Sequence, residues 1–147
     1  MIEIFAWPFL DPSQTRDLLG TDDILNFETA TERLLDALPV PTPGSRQMLV
    51  AHAFVGDNER RPWVSDSERD LTVGGSELVS VGCFKRFNYV ALGHLHRAQS
   101  IGSDRVQYAG SLLKYSKSEA DHEKTFTVID LTASGEVVTE RVPLRIN

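Results

Sequence analysis

Two apolar segments constrain the fold of this chain more than any other feature. The segments QMLVAHAFV (residues 47–55) and NYVALGH (residues 88–94) are apolar at nearly every position instead of alternating with polar residues. A strand with one solvated face would alternate, so the pattern predicts two strands buried on both faces. A sheet that contains them needs cover on each side, which places the chain in the α/β or α+β class.

The other segments predict further elements around this sheet. Apolar residues recur at helical spacing from Ile24 to Leu38, which indicates one clear long helix near the N-terminus. Asp11 or Ser13 is placed to cap a shorter helix that ends at Leu19. Strands are expected at residues 2–7, in RVQYAGS (105–111), and in a hairpin that turns at residues 134–135. We therefore expect a single domain over residues 1–147 that is mostly strand.

Residues 56–76 are polar and without periodicity, which predicts a long loop. The following segment, ELVSVGCFKRF (77–87), is expected to hold a short strand and a helical turn. Its aromatic residues Phe84 and Phe87, together with Tyr89, are predicted to lie in the core, since base-stacking sites favour exposed aromatics.

Composition narrows the possible partners and location. No run of about 18 uncharged apolar residues occurs, so no membrane span is expected. The N-terminus lacks the features of a signal peptide. The single cysteine, Cys83, cannot form an internal disulfide, which favours a cytoplasmic protein. The net charge of −6 argues against a nucleic-acid partner held by overall charge alone.

The charge is nevertheless uneven, and the middle of the chain is basic. A local basic surface remains possible there, although such residues usually form an ordinary solvated face. The residues concerned are Lys85, Arg86, Arg97, Arg105, Lys114, Lys117 and Lys124.

A histidine pair follows the second apolar strand. His94 and His96 project to the same face if the strand continues through them, with Leu95 pointing into the packing. Gly93 permits close approach of backbone or ligand. Imidazole is a common ligand for transition metals, so the pair is a candidate two-ligand clamp.

His52 strengthens the metal hypothesis. It lies in the other apolar strand, where its ring nitrogens need a hydrogen bond or a metal ion. A shared metal centre explains three histidines on two apolar strands, whereas His122, in the polar run SEADHEK, is predicted to be solvated. Three histidines suit a zinc site, and a two-metal site would also need carboxylates. The candidate carboxylates in the long loop are Asp57, Glu59, Asp66, Glu68 and Asp70.

Four segments resemble a known family. AHAF, SDSERDLTVGGSELV, FNYVALGHLHRAQ and YAGSLLKYSKSEADHEKTFTVIDL are similar to the bacterial SbcD nuclease subunits, which are calcineurin-like metallophosphoesterases. The resemblance covers nearly the whole chain. It implies part of a four-layer α/β/β/α sandwich with two metal ions, usually manganese. It also implies that His52 and His94 bind one ion and that His96 binds the other.

The resemblance implies a function as well. The family consists of metal-dependent DNA exonucleases and endonucleases that act with an SbcC-type ATPase in DNA repair and recombination, with the full-length subunit as a homodimer. Substrate contacts are expected from Arg97, Ser111, Lys114 and Tyr115, although ordinary loop and surface roles are the alternative. Leu113 stands where the family usually has proline.

The chain departs from the family in one important respect. The motifs D-x-H, G-D and G-N-H-[DE], which supply the remaining ligands and the acid, are missing; the sequence GD occurs once, at Gly56 and Asp57, after His52. By the same resemblance, we do not expect the family's C-terminal capping region within these 147 residues. We therefore expect this chain alone to bind metal weakly, to show little nuclease activity, and to expose the faces that the other half would cover. The alternatives are a non-catalytic remnant or interaction module, and a metallophosphoesterase acting on small phosphodiesters.

Overall fold

The computed structural model describes residues 1–57, 61–68 and 77–145. Its strands and helices follow the order β1, α1, α2, β2 to β9 along the chain. The helices are α1 (Pro12–Leu19) and α2 (Phe27–Asp36). The strands are β1 (Ile2–Trp7), β2 (Arg46–His52), β3 (Val55–Gly56), β4 (Val79–Ser80), β5 (Tyr89–Gly93), β6 (Gln99–Ile101), β7 (Ser103–Tyr108), β8 (Thr125–Leu131) and β9 (Val137–Pro143). Short 3-10 helices occupy Val81–Phe84 and Lys117–Glu119.

Five of the strands form the main sheet, in the order β1-β2-β5-β7-β6. The first four are parallel, and β6 pairs antiparallel to β7 at the edge. The two apolar segments become the neighbouring inner strands β2 and β5, as predicted. Because these strands are parallel, their carboxyl ends meet at one edge of the sheet, where His52 pairs with Gly93. Strands β3 and β4 form a separate parallel pair, and β8 and β9 form an antiparallel hairpin.

Capping residues set the helix boundaries. The Asp11 side chain accepts a hydrogen bond from the backbone N–H of Gln14, so Asp11 caps α1 as expected. Asn26 does the same for α2 through the backbone N–H of Thr29. The long helix therefore begins at Phe27 and is shorter than the predicted range of 24–38, because the cap at Asn26 leaves the buried Ile24 in the preceding turn.

The core lies between one face of the main sheet and the elements that pack on that face, including α2. It contains Leu49 and Ala51 of β2, Val90 and Leu92 of β5, and Leu35 of α2. The three aromatic residues predicted to be core are all buried, namely Phe84, Phe87 and Tyr89. The mixed α/β class with mostly strands is confirmed, and the four-layer sandwich stays a prediction.

The opposite face of the sheet is only partly covered. The β8–β9 hairpin lies over β5 and β7, where the amide nitrogen Nε2 of Gln107 donates to the Thr139 hydroxyl at 3.1 Å. On β1 and β2 this face is open: the side chains of Ile2, Ile4 and Val50 are 43%, 64% and 44% exposed. Apolar strand residues are thus exposed on this face of the sheet.

The predicted long loop is only partly described, since residues 58–60 and 69–76 lie outside the described ranges, and the candidate ligands Glu59 and Asp70 with them. The described part places a short strand and a 3-10 helix within residues 77–87, as predicted.

Within the described residues, neither helix has the length and apolar character needed to cross a membrane.

Candidate metal centre

His52 and His94 come together at the carboxyl ends of β2 and β5. The Nε2 atom of His52 lies 3.3 Å from the Nδ1 atom of His94. Two nitrogens bound to one tetrahedral ion at about 2.0–2.1 Å would lie roughly 3.3–3.4 Å apart. The spacing fits two ligands on one ion, and it also permits an N–H···N hydrogen bond between the rings.

The surroundings favour the neutral form of these two rings. Partial burial lowers the pKa of His52. Burial, followed by the influence of His52, lowers the pKa of His94 as well. The aromatic rings of Phe9 and Phe54 pack near the two imidazoles, at centroid distances of 6.0 and 5.7 Å. A neutral imidazole keeps a lone pair, which is the form that binds a metal.

The backbone at His94 corrects the predicted geometry. Strand β5 ends at Gly93, and His94 has a φ of 116°, the only positive φ at a non-glycine among the described residues. His94 and His96 therefore do not share a face by strand alternation, although Leu95 between them is buried as predicted. A Cβ at Gly93 would lie 3.1 Å from Nδ1 of His52, so glycine leaves room for the His52 ring.

His96 occupies a different environment from the other two histidines. Its Nδ1 atom lies 3.0 Å from Oε1 of Glu119 and 3.1 Å from the Ser67 hydroxyl. An ionised carboxylate only accepts hydrogen bonds, so Nδ1 carries a proton, and in the neutral ring the lone pair is then on Nε2. The ring of Tyr115 lies 5.1 Å from the His96 ring by centroid. Nε2 is thus the nitrogen of His96 that is available for a ligand.

Glu119 is the buried charge that holds this arrangement. Its side chain is 0% exposed and accepts hydrogen bonds from Lys124 Nζ at 2.8 Å and Ser67 Oγ at 2.8 Å. Burial alone would raise the pKa of Glu119, but the hydrogen bonds from Lys124, His96 and Ser67 outweigh it and hold the pKa well below its usual range. Glu119 is therefore ionised at neutral pH beneath His96.

Lys124 ties the network to the neighbouring loop. Its side chain is 5% exposed, and besides Glu119 its Nζ atom donates to the His96 carbonyl at 3.0 Å and to Ser111 Oγ at 2.8 Å. The Ser111 backbone N–H donates to the same His96 carbonyl at 3.0 Å. Lys124 is therefore not part of a basic surface, and Ser111 faces the buried network.

Sequence reasoning missed the roles of Glu119 and Lys124. Both lie in the polar run SEADHEK, which has no periodicity and is typical of a solvated loop. The one available signal was their inclusion in a segment that resembles the family. His122, in the same run, is not solvated as predicted: its ring packs against Trp63 at 4.4 Å, and its Nδ1 atom is buried.

The loop carboxylates do not complete a metal cluster in the described part of the chain. Glu68 accepts hydrogen bonds from the backbone N–H groups of His96 and Ser65, so it braces the site through the main chain. Among the described residues, one group of three potential ligands has its ligand atoms within 4.8 Å of one another, and it consists of Glu28, Glu32 and Cys83. The three histidines do not form such a group there.

The remaining predicted substrate residues lie around His96. Arg97 is exposed, and its guanidinium lies over the Trp63 ring at 5.1 Å from the centroid. Lys114 is exposed and donates to the Ala120 carbonyl. Tyr115 is 63% exposed beside the His96 ring. These residues are accessible, and their role in substrate binding stays a prediction.

Comparison with known proteins bears on this arrangement. No protein-family profile matches the chain. The chain is 30% identical over 145 residues to the SbcD subunit of the nuclease SbcCD from Staphylococcus epidermidis, and the match covers 98% of this chain. The resemblance to SbcD is confirmed. The chain spans 38% of the length of that SbcD relative, so the relative is much longer than the part that it shares with this chain.

Proposed function

We propose that this chain is a portion of an SbcD-like, metal-dependent DNA nuclease. The observation that carries the proposal is the 3.3 Å approach of His52 Nε2 and His94 Nδ1 at the ends of adjacent parallel strands. The similarity to an SbcD protein over 98% of the chain supports it. Ligands in open α/β sheets bind at the carboxyl ends of the strands, which is where these histidines lie.

The residues divide into two ligand positions. His52 and His94 would hold one divalent ion, and Nε2 of His96 would contribute to a second; manganese is the metal that we propose. Such ions, when bound, polarise a phosphodiester and lower the pKa of a bound water. The chain's own contribution is to fix the ligands: Glu119 holds the His96 tautomer, and Gly93 gives the His52 ring its space.

The substrate side of the proposal rests on groups next to His96. Arg97, Lys114 and Tyr115 are exposed there, and guanidinium and ammonium groups suit phosphate oxygens. Ser111 is held by Lys124 and would act on substrate only after a change in that contact. Partners proposed for the whole protein are DNA, an SbcC-type ATPase and a second copy of the SbcD-like protein, in the cytoplasm.

Titration of this chain with Mn²⁺ tests the metal assignment directly. The free ion can be followed by electron paramagnetic resonance, and we expect weak binding that is lost in His52→Ala and in His94→Ala. The matched control is His122→Ala, which should bind Mn²⁺ like the parent chain. Equal binding by all four proteins would contradict the ligand assignment.

A nuclease assay tests the second part of the proposal. The chain alone should degrade linear duplex DNA with Mn²⁺ far more slowly than an intact SbcD protein. The reason is that a two-ion site also needs carboxylate oxygens as ligands, and the histidines supply only nitrogens. A rate near that of the intact protein would show that the chain is a complete enzyme. Hydrolysis of small phosphodiesters without action on DNA would favour a different phosphoesterase.

A further inference from the structure

Tyr108 is a buried residue that reaches the candidate metal centre from a distant strand. It is the last residue of β7, its side chain is 0% exposed, and it belongs to the core. Strand β7 is separated by β5 from β2, the strand that ends at His52. The Tyr108 side chain spans this distance, because its hydroxyl is hydrogen-bonded to the segment that follows His52.

The Tyr108 hydroxyl both accepts and donates a hydrogen bond there. The backbone N–H of Val55 donates to it at 2.6 Å, and the hydroxyl donates to the Ala53 carbonyl at 2.9 Å, with the Val55 carbonyl at 3.3 Å. Burial raises the pKa of Tyr108, so the hydroxyl carries its proton at neutral pH and can donate. Buried backbone groups need hydrogen-bond partners, and a single hydroxyl serves two of them here.

The two bonded backbone groups lie on either side of Phe54. The Phe54 ring packs near the His94 ring, at a centroid distance of 5.7 Å. His52 directly precedes Ala53, and its Nε2 atom lies 3.3 Å from Nδ1 of His94. One short segment therefore places the backbone of His52 and the aromatic surface that meets His94. A movement of this segment changes the distance between the two imidazole nitrogens.

Tyr108 is itself held in place by the residues that follow it. The backbone N–H of Ser111 donates to the His96 carbonyl at 3.0 Å. Gly110 has a φ of 81°, and a Cβ at this position would lie 2.8 Å from the backbone nitrogen of Ala98, so glycine permits the close approach. The chain after Tyr108 is thus fixed against the backbone of the histidine segment, and the hydroxyl is a fixed point for its two partners.

We propose that Tyr108 is a positioning residue for the candidate metal centre, whose hydroxyl fixes the segment after His52 and thereby the separation of the His52 and His94 nitrogens. The inference rests on the proposed function, since it treats these nitrogens as ligands of one ion. Groups that orient metal ligands from outside the coordination sphere change metal affinity by about 10–100-fold when they are removed.

Tyr108→Phe removes the hydroxyl and keeps the ring. In the Mn²⁺ titration followed by electron paramagnetic resonance, this variant should show a Kd at least about tenfold above that of the parent chain. The matched control is Tyr89→Phe, the same change at a buried tyrosine on β5 that lines a cavity beneath the β8–β9 hairpin. Its Kd should equal that of the parent.

A second control separates positioning from a general loss of stability. Val106→Ala deletes two methyl groups from a buried residue of the same strand, at 6% exposure, and should lower the urea midpoint through the cavity that it leaves. Its Mn²⁺ affinity should nevertheless remain that of the parent, because the hydroxyl of Tyr108 is intact. Circular dichroism checks that each variant is folded under the conditions of the titration.

NMR of the chain with labelled histidines, in EDTA, gives a readout that needs no metal. The ring-proton shifts of His52 and His94 should change in Tyr108→Phe, because the Phe54 ring lies near His94 and the His52 ring moves with its backbone. The shifts of His122, which packs against Trp63, should stay as they are in the parent.

The outcomes separate this inference from the metal assignment. Unchanged His52 and His94 shifts in Tyr108→Phe, an unchanged Mn²⁺ Kd in that variant, or an equal rise of the Kd in Val106→Ala would overturn the role of Tyr108. Absence of Mn²⁺ uptake by the parent chain would contradict the metal assignment, and the NMR comparison in EDTA would still decide whether Tyr108 places the two rings.

Discussion

Replacing Lys124 with methionine tests the central claim about the site, namely that a buried ion pair supports His96. The substitution keeps most of the side-chain volume but removes three hydrogen bonds from Nζ, to Glu119, Ser111 and the His96 carbonyl, at 2.8, 2.8 and 3.0 Å. It leaves the Glu119 carboxylate with 0% exposure and without its cation. Removal of one partner from a buried pair costs about 3–5 kcal/mol.

That cost is a large part of the free energy of unfolding, which is about 5–15 kcal/mol for a typical domain. Urea unfolding followed by circular dichroism at pH 7, with EDTA, measures it. The unfolding free energy of a small protein falls by about 1–3 kcal/mol per M urea, so the urea midpoint of Lys124→Met should be lower than that of the parent by roughly 2 M. The matched control is Lys114→Met, the same change at an exposed lysine, which should cost less than about 0.5 kcal/mol.

A double variant separates the charge from the packing. Glu119→Gln combined with Lys124→Met removes both charges, so it should be more stable than Lys124→Met alone by about 1–2 kcal/mol. If Lys124→Met cost no more than Lys114→Met, or if the double variant were less stable than Lys124→Met, the assignment of a buried, mutually dependent pair would be refuted.

Three further outcomes follow from single residues. Burial, with the nearby charges of Glu28 and Glu32, raises the pKa of Cys83 to about 11, so its reaction with a disulfide reagent should be slow at pH 8 and accelerate towards pH 11; fast labelling at pH 8 would contradict this. His94→Gly should be about 1 kcal/mol more stable than His94→Ala in urea unfolding, because glycine adopts a φ of 116° without the strain that a Cβ causes. The pKa of Glu119 is lowered from 4.5, so the charge of this carboxylate stabilises the fold above pH 4.5, and the contribution falls as the pH drops further. The difference in unfolding free energy between the parent and Glu119→Gln, measured in urea, should therefore be smaller at pH 3 than at pH 7.

Much of the fold followed from local patterns. Continuous apolar runs identified β2 and β5 as inner strands, and capping residues located α1. The long helix was found with its N-terminus three residues early, because helical spacing alone does not reveal that Asn26 caps the helix. The shared face predicted for His94 and His96 required the strand to continue through them. That condition is not met, because the strand ends at Gly93 and the chain turns with a positive φ at the next residue.

The sequence by itself determined that three histidines follow or end apolar strands, and that the chain resembles SbcD. Only the tertiary structure decided which groups meet them. Glu119 lies 23 residues from His96, and Arg61 and Arg141, which line one cleft, lie 80 residues apart in the sequence. Hydrophobic burial has a periodicity that a sequence displays, because each apolar side chain needs only a buried face. A hydrogen bond or ion pair needs one particular partner in one geometry, and loop conformation supplies that partner without leaving a repeat in the sequence.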